Sequence, residues 1–235
     1  MLKYEIVANE LRRMIVDGSY PINSQLPIEK DIMEQFSVSR ITVKRAFDIL
    51  VEEGLVIRRR GKGSFVKNID EKTALLFARS KQFLGFSNNY RTGIETFVNK
   101  FEVKLPSEDV QKKLKIDPDD WVYYFVRIRY HDDEPIVIEY TYMSMERIPG
   151  ITMQILESSI YDYVETKLDL VIQSAHRIIT ARRSNAEERE LLKIEDGVPV
   201  VNVEEVTFLD NGLPFSYTQN VHSGDKYQYV SIANK

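Results

Sequence analysis

The hydrophobic positions of the first 67 residues predict three short helices and then a β-hairpin. Apolar residues recur at helical spacing over 4–16, 28–36 and 39–53, and Gly18 ends the first of these patterns. A tight turn separates the second and third helices, and Ser39 is a suitable N-cap for the third. This arrangement is typical of a helix-turn-helix, whose second helix can enter the DNA major groove.

Two short β-type runs, 55–57 and 64–66, follow the third predicted helix directly. Three arginines, one lysine and two glycines lie between them, so the turn of this hairpin is strongly basic. A cationic hairpin directly after a recognition helix is typical of a winged helix, in which it contacts the DNA backbone or enters the minor groove. We therefore expect residues 1–67 to form a winged helix-turn-helix domain.

The remainder of the chain combines β-type runs with short helical patterns. Residues 68–80 have mixed polarity and favour a linker with a helical turn at 74–78, so the second domain is expected over 81–235. Its strands are expected at 94–103, 121–130, 135–143, 171–182, 199–208 and 214–222, and its helices at 108–114, 159–167 and 185–192. Polar turns at 131–135 and 210–214 favour hairpins, so this half is predicted to be an α+β domain on a mainly antiparallel sheet.

Charge is distributed unevenly along the chain. The net charge is −4, but residues 1–67 contain twelve Lys and Arg against nine Asp and Glu. Within 39–67 there are eight basic and three acidic residues. A basic patch on an otherwise acidic protein can hold a polyanion, although a solvated charged surface would have the same composition.

Composition excludes several classes of protein. The chain has no cysteine, so it has no disulfide, no thiolate nucleophile and no cysteine metal site. No apolar run reaches the 18 residues of a membrane span, and the N-terminus does not resemble a signal peptide. We expect a cytoplasmic protein without a membrane partner.

Four motifs follow one another along the first domain. They are Leu26-Pro27-Ile28-Glu29, Val38-Ser39-Arg40-Ile41-Thr42-Val43, Glu53-Gly54-Leu55-Val56 and Arg60-Gly61-Lys62-Gly63-Ser64-Phe65-Val66. Their order and spacing resemble the DNA-binding domain of the GntR family over nearly all of residues 3–67. Each motif alone is unspecific, but an ordinary helical hairpin with a basic face would not carry all four.

This resemblance implies which residues contact double-stranded DNA. By position in the motifs, it assigns Lys30, Arg40, Lys44, Arg60 and Gly61. The first turns of the third helix and the wing add further candidates of suitable chemistry, namely Ser39, Thr42, Arg45 and Lys62. Ile28 stands where the family usually has serine or alanine, so we expect the second helix to begin without a firm cap.

The second domain carries its own ordered set of motifs. They are Val126-Arg127-Ile128-Arg129, Pro135-Ile136-Val137-Ile138-Glu139, Ile148-Pro149-Gly150, Ser159-Ile160-Tyr161, Asp196-Gly197-Val198-Pro199 and Gly212-Leu213-Pro214. Over about residues 80–233 they resemble the UTRA domain of the HutC-like branch of the GntR family. The resemblance implies a fold related to chorismate lyase, and a domain that binds a metabolite and alters DNA affinity.

Two arginines of the second domain are candidates for an effector site. Arg127 and Arg129 are two residues apart on a predicted strand, so their side chains share a face. If residue 128 pairs with residue 138, Arg127 lies opposite Glu139. The spacing alone is equally compatible with a solvated ion pair and with the wall of a charged pocket.

A helix start supplies the other candidates. Ser159 and Asp162 have the spacing of a capping box, and a helix N-terminus favours anions. The UTRA resemblance implies ligand contacts at Arg127, Arg129, Ser159 and Tyr161, with Ile160 inside the same motif. Neighbouring strands add Glu139, Glu205 and Tyr217 as candidates. We expect an anionic effector, such as a phosphorylated sugar or amino sugar.

Two other functions remain open at this stage. A lyase-like enzyme fused to a DNA-binding domain is one, but the three histidines have no metal-ligand spacing and no nucleophile motif is visible, so we expect no catalytic residue, metal or cofactor. A constitutive DNA-binding protein whose second domain only dimerises is the other. A homodimer is expected in either case, because paired half-sites suit a two-fold symmetric regulator. The aromatic run at 121–125 is expected to pack in the sheet.

Overall fold

The computed structural model describes residues 2–68 and 93–229. Contacts divide the chain into two compact units, the first containing 2–68 and the second 93–228. The predicted linker at 68–80, with its helical turn at 74–78, lies outside the described residues except for residue 68. Each unit is therefore described by itself.

The first unit has the elements of a winged helix-turn-helix, as the sequence predicts. They are α1 (Lys3–Val16), α2 (Glu29–Phe36), α3 (Arg40–Glu52), β1 (Val56–Arg59) and β2 (Gly63–Val66). The strands pair in antiparallel fashion, with Val56 opposite Val66. Gln25, in the loop before α2, adds a bridge to Phe65 and so ties this loop to the hairpin.

One hydrophobic core holds the first unit together. It is built from the inner faces of the three helices and the hairpin: Val7, Leu11, Ile32, Val43, Phe47, Leu50, Leu55, Val56 and Val66. A two-pronged ion pair crosses from α1 to the end of α3, where Arg12 Nη2 lies 2.6 Å and Arg12 Nε 2.8 Å from the two carboxylate oxygens of Glu53. Glu53 is only 4% exposed, so this pair fixes α1 against α3.

The second unit is an α+β domain on an antiparallel sheet, again as predicted. Its elements are β3 (Ile94–Lys104), α4 (Glu108–Leu114), β4 (Val122–His131), β5 (Glu134–Ser144), α5 (Met153–Leu156), α6 (Ile160–Thr166), β6 (Ile172–Arg183), α7 (Ala186–Leu192), β7 (Pro199–Leu209) and β8 (Pro214–Ser223). Six strands form one sheet in the order β3-β4-β5-β8-β7-β6, and every neighbouring pair is antiparallel. The sheet order brings strands distant in sequence side by side.

The two faces of this sheet are covered by different helices. On one face, α5 and α6 contribute Leu156, Ile160 and Val164 to a cluster with Tyr123 and Phe125 of β4. On the other face, α4 and α7 pack over two smaller clusters, which contain Val110 and Leu114 of α4 and Leu192 of α7. We call the first face the α6 face and the second the α4 face.

Two details differ from the sequence expectation. The expected packing of the aromatic run is wrong for Trp121, which is 53% exposed because the strand begins only at Val122, whereas Tyr123 is buried. The four-residue helix α5 was not expected, because a single turn is too short to produce a helical period.

Candidate DNA-binding and effector sites

The start of the recognition helix α3 is fixed by hydroxyl groups. Ser39 is the N-cap, and its Oγ accepts a hydrogen bond from the Thr42 backbone N–H at 3.3 Å. The hydroxyl groups of the two residues lie 2.9 Å apart. The Ser39 oxygen therefore satisfies a backbone N–H that the first turn leaves unpaired, and the Thr42 hydroxyl contacts this capping oxygen.

Arg40 and Lys30 project from this region into solvent. The side chain of Arg40 is 79% exposed, and its Nε donates to Glu29 Oε2 at 2.9 Å. Lys30 is 77% exposed and lies 3.9 Å from Glu34. Ile28, the N-cap of α2, provides no side-chain hydrogen bond, which confirms the expected uncapped start. Glu29 is a residue that sequence reasoning did not select, although it lies in a quoted motif.

Lys44 and Arg45 occupy the exposed side of α3, one turn further along. The guanidinium of Arg45 stacks over the ring of Tyr4 at 4.0 Å from its centroid, so α1 holds this cation in place. Among the residues that the structure describes, Lys44 has no carboxylate partner. Its ammonium group is therefore available to an external anion.

The wing divides its cations into engaged and available groups. Arg58 pairs with Asp48 of α3, and the guanidinium of Arg59 lies 4.5 Å from the ring centroid of Phe65. The tip carries the predicted Arg60, Gly61 and Lys62, with Gly61 at φ +71°, a conformation that favours glycine. Within residues 2–68, neither tip cation has a carboxylate partner, and both are exposed.

The wing tip is also held to the body of the first unit. The side-chain amide of Gln25 donates to the carbonyl of Lys62 at 2.9 Å. The backbone N–H of Leu26 donates to the carbonyl of Ser64 at 2.9 Å. These hydrogen bonds fix the basic tip of the wing relative to the loop before α2. The recognition helix and the wing therefore form a preorganised cationic surface that suits a polyanion.

The second unit buries a group of three charged side chains on the α6 face. Arg127 pairs across the β4–β5 hairpin with Glu139, as the sequence predicts. The Nη2 of Arg127 lies 2.7 Å and the Nε of Arg129 3.2 Å from the same carboxylate oxygen, Glu139 Oε2. Residue exposures are 7%, 3% and 4% for Arg127, Arg129 and Glu139. The solvated surface ion pair that the sequence left open is therefore wrong.

This buried group has more cations than anions. Burial alone would raise the pKa of Glu139, but Arg127 and Arg129 outweigh it and hold that pKa below its usual range. Burial lowers the pKa of Arg127 to about 10, so the guanidinium still carries its charge at neutral pH. These three buried side chains together therefore carry a net charge of +1.

Arg127 has one unsatisfied hydrogen-bond donor. Its Nη1 donates to the carbonyl of Leu156, at the end of α5, at 3.2 Å. Its Nε is buried and has no hydrogen-bond partner among the described residues. An unpaired buried donor is costly, which makes such a group a recognised indication of a missing partner.

A second polar group continues across the same face onto β6 and β7. Arg177 donates through its Nε to Glu205, which faces it across the strand pair. Burial raises the pKa of Tyr161, assisted by the nearby carboxylate of Glu205, while a hydrogen bond with Thr207 opposes the shift. Tyr161 and Glu205 are thereby brought together with two residues that sequence reasoning missed, Arg177 and Thr207.

The helix start at α6 has a more structural character than expected. Ser159 is the N-cap, and its Oγ accepts from the Asp162 N–H at 3.2 Å, which is half of the expected capping box. The side chain of Ile160 is 5% exposed and belongs to the hydrophobic cluster under the helix. Its side chain therefore takes part in packing α6 against the sheet.

Tyr217 does not join this group. Cross-strand pairing places it beside Tyr142 and Val206, on the α4 face of the sheet. It packs there with Val110 and Leu114, and its hydroxyl donates to Glu204 at 3.1 Å. Arg127, Arg129, Glu139, Tyr161 and Glu205 thus lie on the α6 face, whereas Tyr217 lies on the opposite face.

No three His, Asp or Glu side chains are grouped as metal ligands in residues 2–68 and 93–229. Across the same part of the chain, no helix has the length and apolar character that a bilayer crossing requires.

Comparison with protein-family models identifies both halves. Residues 3–66 match the model described as bacterial regulatory proteins of the gntR family, and residues 92–228 match the UTRA domain. The chain belongs to the GntR family. It is thus a DNA-binding transcriptional regulator with a UTRA domain, in agreement with the resemblance of its motifs.

Known relatives of this GntR-family chain extend over its whole length. The HTH-type transcriptional regulator GmuR of Bacillus subtilis is 40% identical over 99% of this chain and 98% of its own. The crystal structure of the possible transcriptional regulator YydK of Bacillus subtilis covers 100% of both chains at 26% identity with a TM-score of 0.80. The effector-binding domain of the trehalose repressor TreR of B. subtilis matches 60% of this chain and 98% of its own, at 35% identity and a TM-score of 0.54.

Proposed function

We propose that this chain is a metabolite-responsive repressor that binds a palindromic operator as a homodimer. In this proposal residues 1–67 bind DNA, 68–80 form the linker, and 81–235 bind the effector and dimerise. The effector is a small anion, such as a phosphorylated sugar. The observation that carries the effector part is the buried +1 group of Arg127, Arg129 and Glu139, with its unpaired Nε.

Charge balance supports an anion rather than a neutral ligand. Burying a charge without compensation costs several kcal/mol, so proteins seldom retain an uncompensated guanidinium without a use for it. A phosphate or carboxylate beside Arg127 would neutralise the excess charge and accept a hydrogen bond from Nε. The polar groups of Tyr161, Glu205 and Thr207 on the same face would suit the hydroxyl groups of a sugar.

A relative supports the proposal that the effector carries a sugar in addition to its anionic group. The solved effector-binding domain of 35% identity is named as that of a trehalose repressor. The name describes that protein, and for this chain it favours a carbohydrate effector over an amino-acid derivative.

The exposed cations of the first unit support the DNA part. Lys30, Arg40 and Lys44 project around the start of α3, and Arg60 and Lys62 from the wing. Arginine and lysine read guanine edges and phosphates, and the wing reaches the backbone or the minor groove. We assign base readout to Arg40 and Lys44 and phosphate contacts to the wing, so DNA affinity will fall steeply with salt.

Dimerisation is supported by the edge strand β6. It is an edge of the six-stranded sheet, and Ile178 is 57% and Ile179 37% exposed on it. A long uncovered edge strand is a template for pairing with another chain. Pairing of β6 with its copy would satisfy this edge, and Ile178→Lys is expected to shift the protein towards monomer in light scattering.

The other roles weighed for the second unit have less support. An enzyme would need a nucleophile or a general base. In the buried group the two arginines are poor at either task, and Glu139 is held in ion pairs with both. A domain that only dimerised would have no use for a buried charge excess. We infer a non-enzymatic regulator that acts in the cytoplasm, where its operator is.

The effector proposal is tested by thermal melting of the full chain. Hexose phosphates and the matching unphosphorylated sugars are compared at equal concentrations, because a ligand that binds the native state raises Tm. We expect a shift from a phosphorylated member that is lost in Arg127→Met and retained in Arg183→Met, an arginine outside the group. Equal shifts in both variants would refute the pocket assignment.

The DNA proposal is tested with a duplex selected from a random pool by the wild-type protein. Arg40→Ala is expected to weaken binding to this duplex more than to random DNA, by about 1–3 kcal/mol if the contact is bidentate to a guanine. Lys62→Ala is expected to weaken both equally and to reduce the salt dependence. If Arg40→Ala affects both duplexes alike, Arg40 contacts phosphate.

A further inference from the structure

Ile41 is an exposed apolar side chain on a cationic surface. It is 81% exposed, the largest fraction among the large hydrophobic residues that the structure describes. Single exposed hydrophobic residues are ordinary on protein surfaces and need no function. The position of Ile41 is what distinguishes it, since it is the second residue of the recognition helix α3.

The helical period places Ile41 among the candidate DNA contacts. Lys44 and Arg45 lie three and four residues later, which puts them on the same side of α3. The buried side of the helix consists of Val43, Ala46, Phe47 and Leu50, so Ile41 takes no part in the core. The N-terminal turns of a recognition helix are the part that reaches base edges.

The chemistry of the major groove supplies one apolar partner. Thymine presents its C5 methyl group there, and the other three bases present only donors and acceptors. The cations around Ile41 would bring a polyanion to this surface, so charge complementarity favours DNA over an apolar protein partner. We propose that Ile41 contacts the C5 methyl of a thymine in each operator half-site.

This inference rests on the proposed DNA-binding function, and its test separates the two. The full chain is titrated onto a duplex selected by the wild-type protein, in which each thymine is replaced in turn by uracil. That replacement removes the methyl group alone. We expect one uracil position per half-site to weaken wild-type binding about three- to fivefold, the effect of about one buried methyl group.

Variants of Ile41 complete a cycle with the base change. Ile41→Ala is expected to weaken binding to the thymine duplex by a similar factor and to be indifferent to uracil at the sensitive position. Ile41→Val should retain most of the effect. The matched control is Ile22→Ala, an isoleucine of the same unit that is 52% exposed but lies outside α3.

Two results would overturn the inference in different ways. If Arg40→Ala and Lys44→Ala weaken binding while uracil has no effect, or has the same effect in Ile41→Ala, only the thymine contact fails. If the wild type selects no sequence, or if Arg40→Ala and Lys44→Ala bind as tightly as the wild type, both the proposed DNA-binding surface and the thymine contact are refuted.

Discussion

Because the buried group has two arginines and one glutamate, we expect replacement of Glu139 to lower the stability much more than replacement of Arg127. Replacing Glu139 by Gln would remove the carboxylate that the guanidinium groups of Arg127 and Arg129 share, and both arginines are under 10% exposed. Removing one member of a buried ion pair typically costs about 3–5 kcal/mol, and we expect Glu139→Gln to lose that much stability. Replacing Arg127 by Met would leave Glu139 with Arg129 at 3.2 Å, which is a balanced pair.

The expected cost of Arg127→Met is therefore small. The variant loses the hydrogen bond to Leu156, worth about 1 kcal/mol, and the 2.7 Å contact with Glu139, but it also removes the excess buried charge and the unpaired Nε. We expect these terms nearly to cancel, so that the stability changes by no more than about 1 kcal/mol. Arg127 would then be a residue that folding does not require.

Urea unfolding of the full chain measures this difference directly. Trp121 is the only tryptophan and lies immediately before β4, so its fluorescence reports the second unit. A midpoint for Arg127→Met close to wild type, with a much lower midpoint for Glu139→Gln, would support the charge count. Equal destabilisation by the two substitutions would refute it, because Arg127 would then be a structural partner of Glu139.

Three further outcomes follow from single contacts. Burial lowers the pKa of His222 to about 4 from 6.5. Between these pH values the unfolded chain binds a proton that the folded chain does not, so stability falls as the pH drops from 6.5 to 4. His222→Gln should flatten a plot of Tm against pH in this range, and an unchanged slope would contradict the prediction. Ser39→Ala removes the N-cap of α3 and should cost about 1 kcal/mol in chemical unfolding of the first unit, whereas no loss would mean that water replaces the cap. Glu53→Gln breaks the buried pair with Arg12 and should lower the stability of the first unit by about 3 kcal/mol in the same measurement. Glu52→Gln, at the exposed neighbouring residue, should lower it little. Similar losses of stability in the two variants would rule out the ion pair as the cause.

Local patterns were sufficient to predict much of this molecule. The three helices of the first unit and its wing follow from apolar spacing over short segments, and the Ser39 cap follows from one side chain. The pairing of Arg127 with Glu139 was predictable because β4 and β5 are joined by a tight turn, which fixes their register.

Contacts between distant strands could not be predicted in the same way. The face on which Tyr217 lies depends on the register of β8 against β5, which is far away in sequence, and a slip of one residue would reverse it. The contribution of Arg177 depends on the pairing of β6 with β7, about thirty residues away in sequence. No local signal marks either outcome, and the burial of Arg129 likewise depends on the whole sheet.

One titration tests directly whether an anion bound beside Arg127 changes the affinity for DNA. Fluorescence anisotropy of a selected duplex is followed with the full chain, with and without each hexose phosphate and its unphosphorylated sugar. We expect a phosphorylated member to change the apparent Kd of the wild type and its unphosphorylated partner to leave it unchanged. Arg127→Met should bind DNA normally but should not respond to either. A response of Arg127→Met equal to that of the wild type, or an equal response to both members of the pair, would contradict this expectation.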